Sequence, residues 1–99
     1  MHRVVYAPEA EEQLVALYFY IAEAVSPKIA ARYTEAIVKQ CESLKRFPTR
    51  GTRRNDIRFG LRVFGFRRRV SIAFEVTEKI VTILGVFYGG QNIEAAFQT

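Results

Sequence analysis

The stretch "GLRVFGFRRRVSIAFEV", residues 60–76, sets two apolar runs on either side of three consecutive arginines, Arg67, Arg68 and Arg69. β-Branched and aromatic side chains fill both runs, so they read as two strands, 61–66 and 70–76, joined at the arginines. In the second, Val70, Ile72, Phe74 and Val76 alternate onto one face. The joint contains no Asn-Gly or Asp-Gly, the pairs that make the tightest hairpin turns. Two readings of its charge stand side by side. Hairpin ends are ordinarily solvated, or an anionic partner docks there.

Outward from the hairpin, "KIVTILGVFY", residues 79–88, is apolar on both faces, as a central strand is. Thr77, Glu78 and Lys79 surround the turn before it, Gly89-Gly90 ends it, and residues 92–98 suit a short helix. Residues 49–60 are polar and glycine-punctuated and read as a loop. Near the N-terminus, "RVVYA", residues 3–7, is a further strand. Pro8 then fits a first helical turn, with Glu9, Glu11 and Glu12 at the positive end of the helix dipole.

Ala10, Leu14, Leu17, Tyr18 and Ile21 form one apolar helical stripe, and Val15, Phe19 and Ala22 a second. That is wider than one core face needs, which fits either a deeply packed helix or one with a partner-binding face. Ser26 and Pro27 restart a helix as N-cap and first residue, and Ala30, Tyr33, Ile37, Cys41 and Leu44 recur along it until Phe47-Pro48. So short a connection folds the two helices antiparallel. The expected fold is α+β in the order βααβββ, a helical hairpin on one face of a small twisted, mainly antiparallel sheet. Leu14, Leu17, Ile21, Tyr33, Ile37, Leu44, Ile72, Phe74, Ile83 and Phe87 should dominate the core, with Cys41 as a small core residue.

Ninety-nine residues, 49% of them hydrophobic, make one globular domain spanning 1–99. No run approaches the ~20 apolar residues of a membrane span, and the N-terminus passes from a short apolar run into acids, unlike a signal peptide. A lone cysteine points to a reducing compartment. The expectation is a soluble, cytoplasmic protein. Of its net charge of +5, the excess lies in residues 50–74, where eight arginines (Arg50, Arg53, Arg54, Arg58, Arg62 and Arg67 to Arg69) meet one acid, Asp56. Arginine is the cation suited to bidentate carboxylate or phosphate recognition.

One His, one Cys and scattered carboxylates supply no metal-ligand spacing, and no cofactor is expected. "YGGQN" lacks the Lys-Ser/Thr of a phosphate loop, and Ser71 has no histidine partner besides His2 for a hydrolytic triad. What remains is metal-free chemistry or none. RNA is cut without metal when a base deprotonates its 2′-hydroxyl, an acid protonates the leaving oxygen and cations stabilise the phosphorane. Arg62 and Arg67 to Arg69 are candidate cations, and Tyr88 is either an acid or base or a half-buried packing residue.

"APEAEEQL…YIAE", "SPKIAARY…LKRFP", "LRVFGF…VSIAFEV" and "VTILGVFYGGQNIEA", in that order, resemble the ParE/RelE superfamily of bacterial toxins. The helical hairpin and the Phe47-Pro48 to Gly51 loop resemble the ParE branch. The resemblance implies the toxin of a type II toxin–antitoxin module, neutralised by a cognate antitoxin protein. For the ParE branch it implies growth inhibition through DNA gyrase, without enzymatic turnover. The RelE branch is the alternative, a nuclease that cuts mRNA on the ribosome. For that alternative Arg62, Arg69 and Tyr88 would be the catalytic set, although Gln91-Asn92 stand where many relatives have Arg-Asp. The candidate antitoxin- or target-binding residues are Arg58, Arg62, Arg67, Arg68, Arg69, Val15, Phe19, Tyr88 and Gln91.

Overall fold

Two prolines and one serine set the helical layer. In the computed structural model, which describes residues 1–97, Pro8 opens α1 (Pro8–Ala24) and Pro27 opens α2 (Pro27–Glu42). Pro is tolerated at a helix start because its missing N–H is one of the unbonded donors there. Ser26 caps α2, its Oγ accepting from the Ile29 N–H at 3.1 Å. α2 stops earlier than the apolar spacing suggests. A single 3₁₀ turn, Ser43–Lys45, carries the chain onward and still buries Leu44.

The strands are β1 (Arg3–Tyr6), β2 (Thr52–Arg53), β3 (Arg62–Phe66), β4 (Val70–Thr77) and β5 (Ile80–Tyr88). They lie in the order β1-β5-β4-β3-β2, with β1 parallel to β5 and every other pair antiparallel. Residues 49–60 are therefore not all loop: Thr52 and Arg53 pair with Val63 and Arg62 as a two-residue edge strand. So short a strand has no alternation to read. The short helix is α3 (Ile93–Ala96), capped by Asn92, whose Oδ1 accepts from the Ala95 N–H at 3.3 Å. Residue 98, placed in that helix by the sequence, lies outside the described residues.

The main core lies between the helices and the sheet, and joins Leu17, Ile21, Ala30, Ile37, Cys41 and Leu44 to Phe64, Ile72, Phe74, Val81, Ile83 and Val86. Leu14 and Tyr33 are only half-buried at its margin. Burial pushes the Cys41 thiol up to about 12, so it is an uncharged packing residue at neutral pH. A second, smaller core on the opposite face holds Leu61, Ala73 and Phe87, covered by Ile57, Ile93 and Phe97.

Phe87 therefore packs in this smaller core, away from the helices, and not with Ile83 in the one core that the sequence reading expects. A β-bulge is the cause. Ala73 pairs with Gly85 but Phe74 pairs with Ile83, so Leu84 is an extra residue in β5. Before it Val81 and Ile83 face the helices; after it Val86 and Tyr88 do. The phase change exchanges the faces of Phe87 and Tyr88.

Candidate functional site

The β3–β4 hairpin closes over Arg67, Arg68 and Arg69, with the Arg69 N–H bonded to the Phe66 carbonyl at 3.3 Å. Arg67 and Arg68 have φ of 50° and 62°, the sign pattern of the turn that usually recruits Asn-Gly. Left-handed backbone costs an ordinary residue roughly 1–2 kcal/mol. Here two adjacent arginines hold it. Part of the compensation is stacking: the Arg67 guanidinium lies 4.9 Å from the Phe66 ring centre and 5.8 Å from that of Tyr33. Arg67, Arg68 and Arg69 are exposed, and among the described residues none has a carboxylate within ion-pair distance.

The bulge delivers Tyr88 to the same place. Its ring centre lies 6.1 Å from that of Tyr33 and 5.9 Å from that of Tyr20, while its backbone N–H donates to Gln91 Oε1 at 2.7 Å. Beside it a groove of ≈ 310 Å³ runs between α1 and β5, lined by Gln13, Ala16, Leu17, Tyr20, Val86 and Gln91. The Tyr33 hydroxyl is buried and has no hydrogen-bond partner among the described residues. Burial raises its pKa, and Tyr88 adds to the rise, whereas Arg67 and Arg69 push it down. Phe66, Arg67, Tyr33, Tyr88 and Tyr20 thus form one aromatic and cationic tip.

Arg50, Arg54, Arg58 and Arg62 are engaged elsewhere. Arg62 donates to the backbone carbonyls of Thr49 and Arg50, which ties the loop before β2 to β3. Arg50 donates to Ser43 Oγ at 2.7 Å and lies 4.8 Å over the Phe64 ring. Arg54 forms a two-point pair with Asp56, at 3.0 and 2.9 Å. Arg58 sits 3.7 Å from Glu75 and over Phe97, on the sheet face away from the helices. Arg62 and Tyr88 stand at different levels of the sheet: Arg62 pairs with Phe74, whereas Tyr88 pairs with Val70, itself the partner of Phe66. The four residue steps from Arg62 to Phe66 span roughly 13 Å of strand. The tip thus brings together Arg67, Arg69, Tyr88 and Gln91, and leaves Arg58 and Arg62 outside it.

Val15 and Phe19 occupy a third place, the outer face of the helical hairpin, where they are 56% and 59% exposed. Val15 lines a shallow groove of ≈ 510 Å³ between α1 and α2 with Leu14, Tyr18 and Val38, and the Phe19 ring packs edge-on against Tyr18 at 5.3 Å. Ala22, from the same stripe, packs on the core instead. Tyr20 and Tyr33 are the site residues that sequence reasoning missed. The signal for Tyr20 was available, since Gln13, Leu17 and Tyr20 recur at helical spacing on the flank of α1 that meets β5.

Residues 4–93 match the family model described as the ParE toxin of the type II toxin–antitoxin system parDE. Among curated proteins none matches the sequence. A solved structure titled "Chromosomal ParDE TA system from P. aeruginosa" shares the fold, with a TM-score of 0.79 and 24% identity, covering 90% of this chain and 97% of that chain. The helical hairpin, the mostly antiparallel sheet and a family match over nearly the whole sequence lead to one assignment: the chain belongs to the ParE toxin family of type II toxin–antitoxin systems.

Proposed function

We propose that this ParE-family toxin is held inactive by a cognate antitoxin docked on the outer face of α1 and α2, and that once released it inhibits growth by acting on DNA gyrase in the cytoplasm. One observation carries the antitoxin reading: Val15, more than half exposed, lines an apolar inter-helical groove, and Phe19, equally exposed, lies one turn along α1 against Tyr18 of that groove. Contiguous exposed apolar surface of this kind marks a binding face on a small soluble protein. An amphipathic helix laid into such a groove would bury it. The gyrase target comes from membership of the family.

Action by binding, without turnover, is supported by the separation of Arg62 from Tyr88 and by the engagement of Arg62 with loop carbonyls. A ribosome-dependent nuclease would need Arg62, Arg69 and Tyr88 around one phosphate. No helix among the described residues is long and apolar enough to cross a membrane.

Induced expression in a bacterial host, with and without the neighbouring small reading frame, tests the proposal. Growth arrest that the second gene relieves, DNA breaks, lost supercoiling activity of purified gyrase and intact transcripts are expected. Codon-linked transcript cleavage with undamaged DNA would replace gyrase with the ribosome. No arrest at all would remove the toxin activity itself. Phe19→Ser should abolish co-purification of the antitoxin, and retention of full affinity would move the docking face elsewhere.

A further inference from the structure

We propose that Arg53, Asn55, Phe59 and Arg62 form a binding site for one nucleotide of a single-stranded nucleic acid, with the phosphate on the two arginines and the base on the Phe59 ring. The site lies at the start of β3, the opposite end from the hairpin tip. It shares no residue with that tip or with the groove between α1 and α2.

Its two cations are held together against their repulsion. Arg53 stands directly opposite Arg62 in the β2–β3 pair. Opposed side chains leave the same face of a sheet with Cβ atoms about 5 Å apart, and like charges so placed destabilise the pair. Among the described residues neither arginine has a carboxylate within ion-pair distance. Gly51 makes the close approach of the strands possible: its φ is 81°, and a Cβ there would lie 2.5 Å from the Val63 carbonyl oxygen. Arg62 donates through Nε and Nη2 to the carbonyls of Arg50 and Thr49, which fixes its guanidinium and leaves Nη1 to an incoming anion. Arg53 is exposed beside it.

The four residues line one concavity of ≈ 260 Å³ with Pro48 and Val76, and no acid lines it. Asn55 Oδ1 accepts the Gly60 N–H at 2.8 Å, which closes the loop under Phe59 and leaves the amide nitrogen of Asn55 to donate. Phe59 is 89% exposed, the most exposed aromatic side chain among the described residues. A ring so exposed gains almost nothing from burial in the free chain. Beside two unpaired cations it is a stacking platform. Phe47, 63% exposed and next in the chain to Pro48 of the same rim, offers a second ring to the adjoining base.

The rings favour nucleic acid over an acidic peptide, whose carboxylates would meet the arginines and leave Phe59 uncovered. They favour a single strand over a duplex, which keeps its base faces stacked inside. No general acid or base lines the concavity, so the site binds without cutting.

Fluorescence anisotropy of the free chain at low salt tests the site with four labelled probes: the single strands dT8 and rU8, an octamer of abasic deoxyribose phosphates, and octaglutamate. Arg53→Gln should weaken single-strand binding about tenfold and lower the slope of log affinity on log salt by about 0.7. Its thermal midpoint should equal or exceed the parent's, because the opposed charges are relieved. Phe59→Ala should weaken single-strand binding about tenfold and leave the abasic octamer within about twofold. Lys28→Gln, which removes an exposed cation on α2, should change single-strand binding by less than about twofold. Equal losses from Arg53→Gln and Lys28→Gln would reduce the site to diffuse charge and overturn the proposal. So would single-strand binding indifferent to Phe59→Ala, octaglutamate binding as tight as that of the single strands, or no binding of dT8 and rU8. The tighter of dT8 and rU8 names the source of the nucleotide, and either one, bound with these sensitivities, supports the site. Should Arg53→Gln fail to fold, Phe59→Ala decides alone, since its ring packs on nothing that the fold needs.

Discussion

The side-chain oxygen of Gln13 accepts the backbone N–H of Val86 at 2.7 Å. Gln13 does the work of a missing strand residue. β1 runs beside β5 only as far as Tyr6, opposite Ile83, and the last backbone bond on that side is from Ala7 N–H to the Ile83 carbonyl. The chain then turns into α1, and β5 continues past its neighbour with an open edge. Gln13, one and a half turns into the helix, supplies the acceptor just beyond the Leu84 bulge that places Tyr88 at the tip.

Gln13→Ala should therefore destabilise the chain by about 1–3 kcal/mol, the cost of leaving a buried backbone donor unsatisfied. Denaturant unfolding measures the loss, and the Tyr88 ring resonances should shift with it. An unchanged midpoint would mean that water or a shifted backbone takes the place of the side chain.

Legibility in the sequence tracked how local each cause is. Helix starts were readable at Pro8, Ser26 and Pro27 because a cap acts within one turn of chain. The buried stripe of α2 was readable from its spacing, Ala30, Ile37 and Cys41. The Leu84 bulge was not, because a run apolar on both faces carries no phase to be interrupted. The arginines were half legible. Their clustering marks residues 50–74 as cationic, but the partners that engage Arg50 and Arg62 are a hydroxyl and backbone carbonyls, which a charge count cannot see.

The turn itself should yield to glycine. Arg68 sits at φ 62° with an exposed side chain, so Arg68→Gly removes left-handed strand-turn strain and should stabilise the chain by about 1 kcal/mol, less the entropy glycine adds to the unfolded state. Thermal unfolding at neutral pH checks the sign. A destabilised Arg68→Gly would show that the arginine makes favourable contacts that outweigh its backbone strain.

Core and face should separate cleanly. Ile37 is fully buried between α2 and the sheet, and Ile37→Ala should cost about 2–5 kcal/mol. Phe19→Ser, on the exposed face, should change stability by less than about 0.5 kcal/mol. Equal losses from the two, measured by chemical denaturation, would place Phe19 in the core and contradict the architecture.

Alkaline pH should unfold the chain through Cys41. The thiol titrates at 9.0 when unperturbed and at about 12 when buried in the fold, mainly by desolvation. A folded-state pKa above the unfolded value means that the stability is fully present below pH 9. It is then lost as pH rises toward 12, at up to roughly 1.4 kcal/mol per unit. Tyr6, raised first by burial and next by the neighbouring thiol, adds a loss of the same sign above its ordinary value of 10.0. Cys41→Ala should flatten the decline between pH 9 and 10, read from unfolding midpoints across that range.

The three hairpin arginines together give the sharpest contrast between folding and binding. They are exposed and form no ion pair among the described residues, so their replacement by Gln removes only the stacking of Arg67 on Phe66 and Tyr33. Exposed stacking of a cation is worth about 0.5–1 kcal/mol, and a stability change no larger than that is expected for the triple variant. Binding should respond differently. Three like charges on one turn repel modestly in water and more strongly as a partner excludes it, unless that partner carries the opposite charge. Antitoxin association should be steered by this field, slow markedly as salt rises, and lose most of its salt dependence in the triple variant. Stopped-flow association at low and high salt, with growth inhibition measured in parallel, distinguishes the cases. Wild-type association rates at low salt together with full toxicity in the triple variant would make the arginines ordinary surface charge and leave the hairpin without a partner.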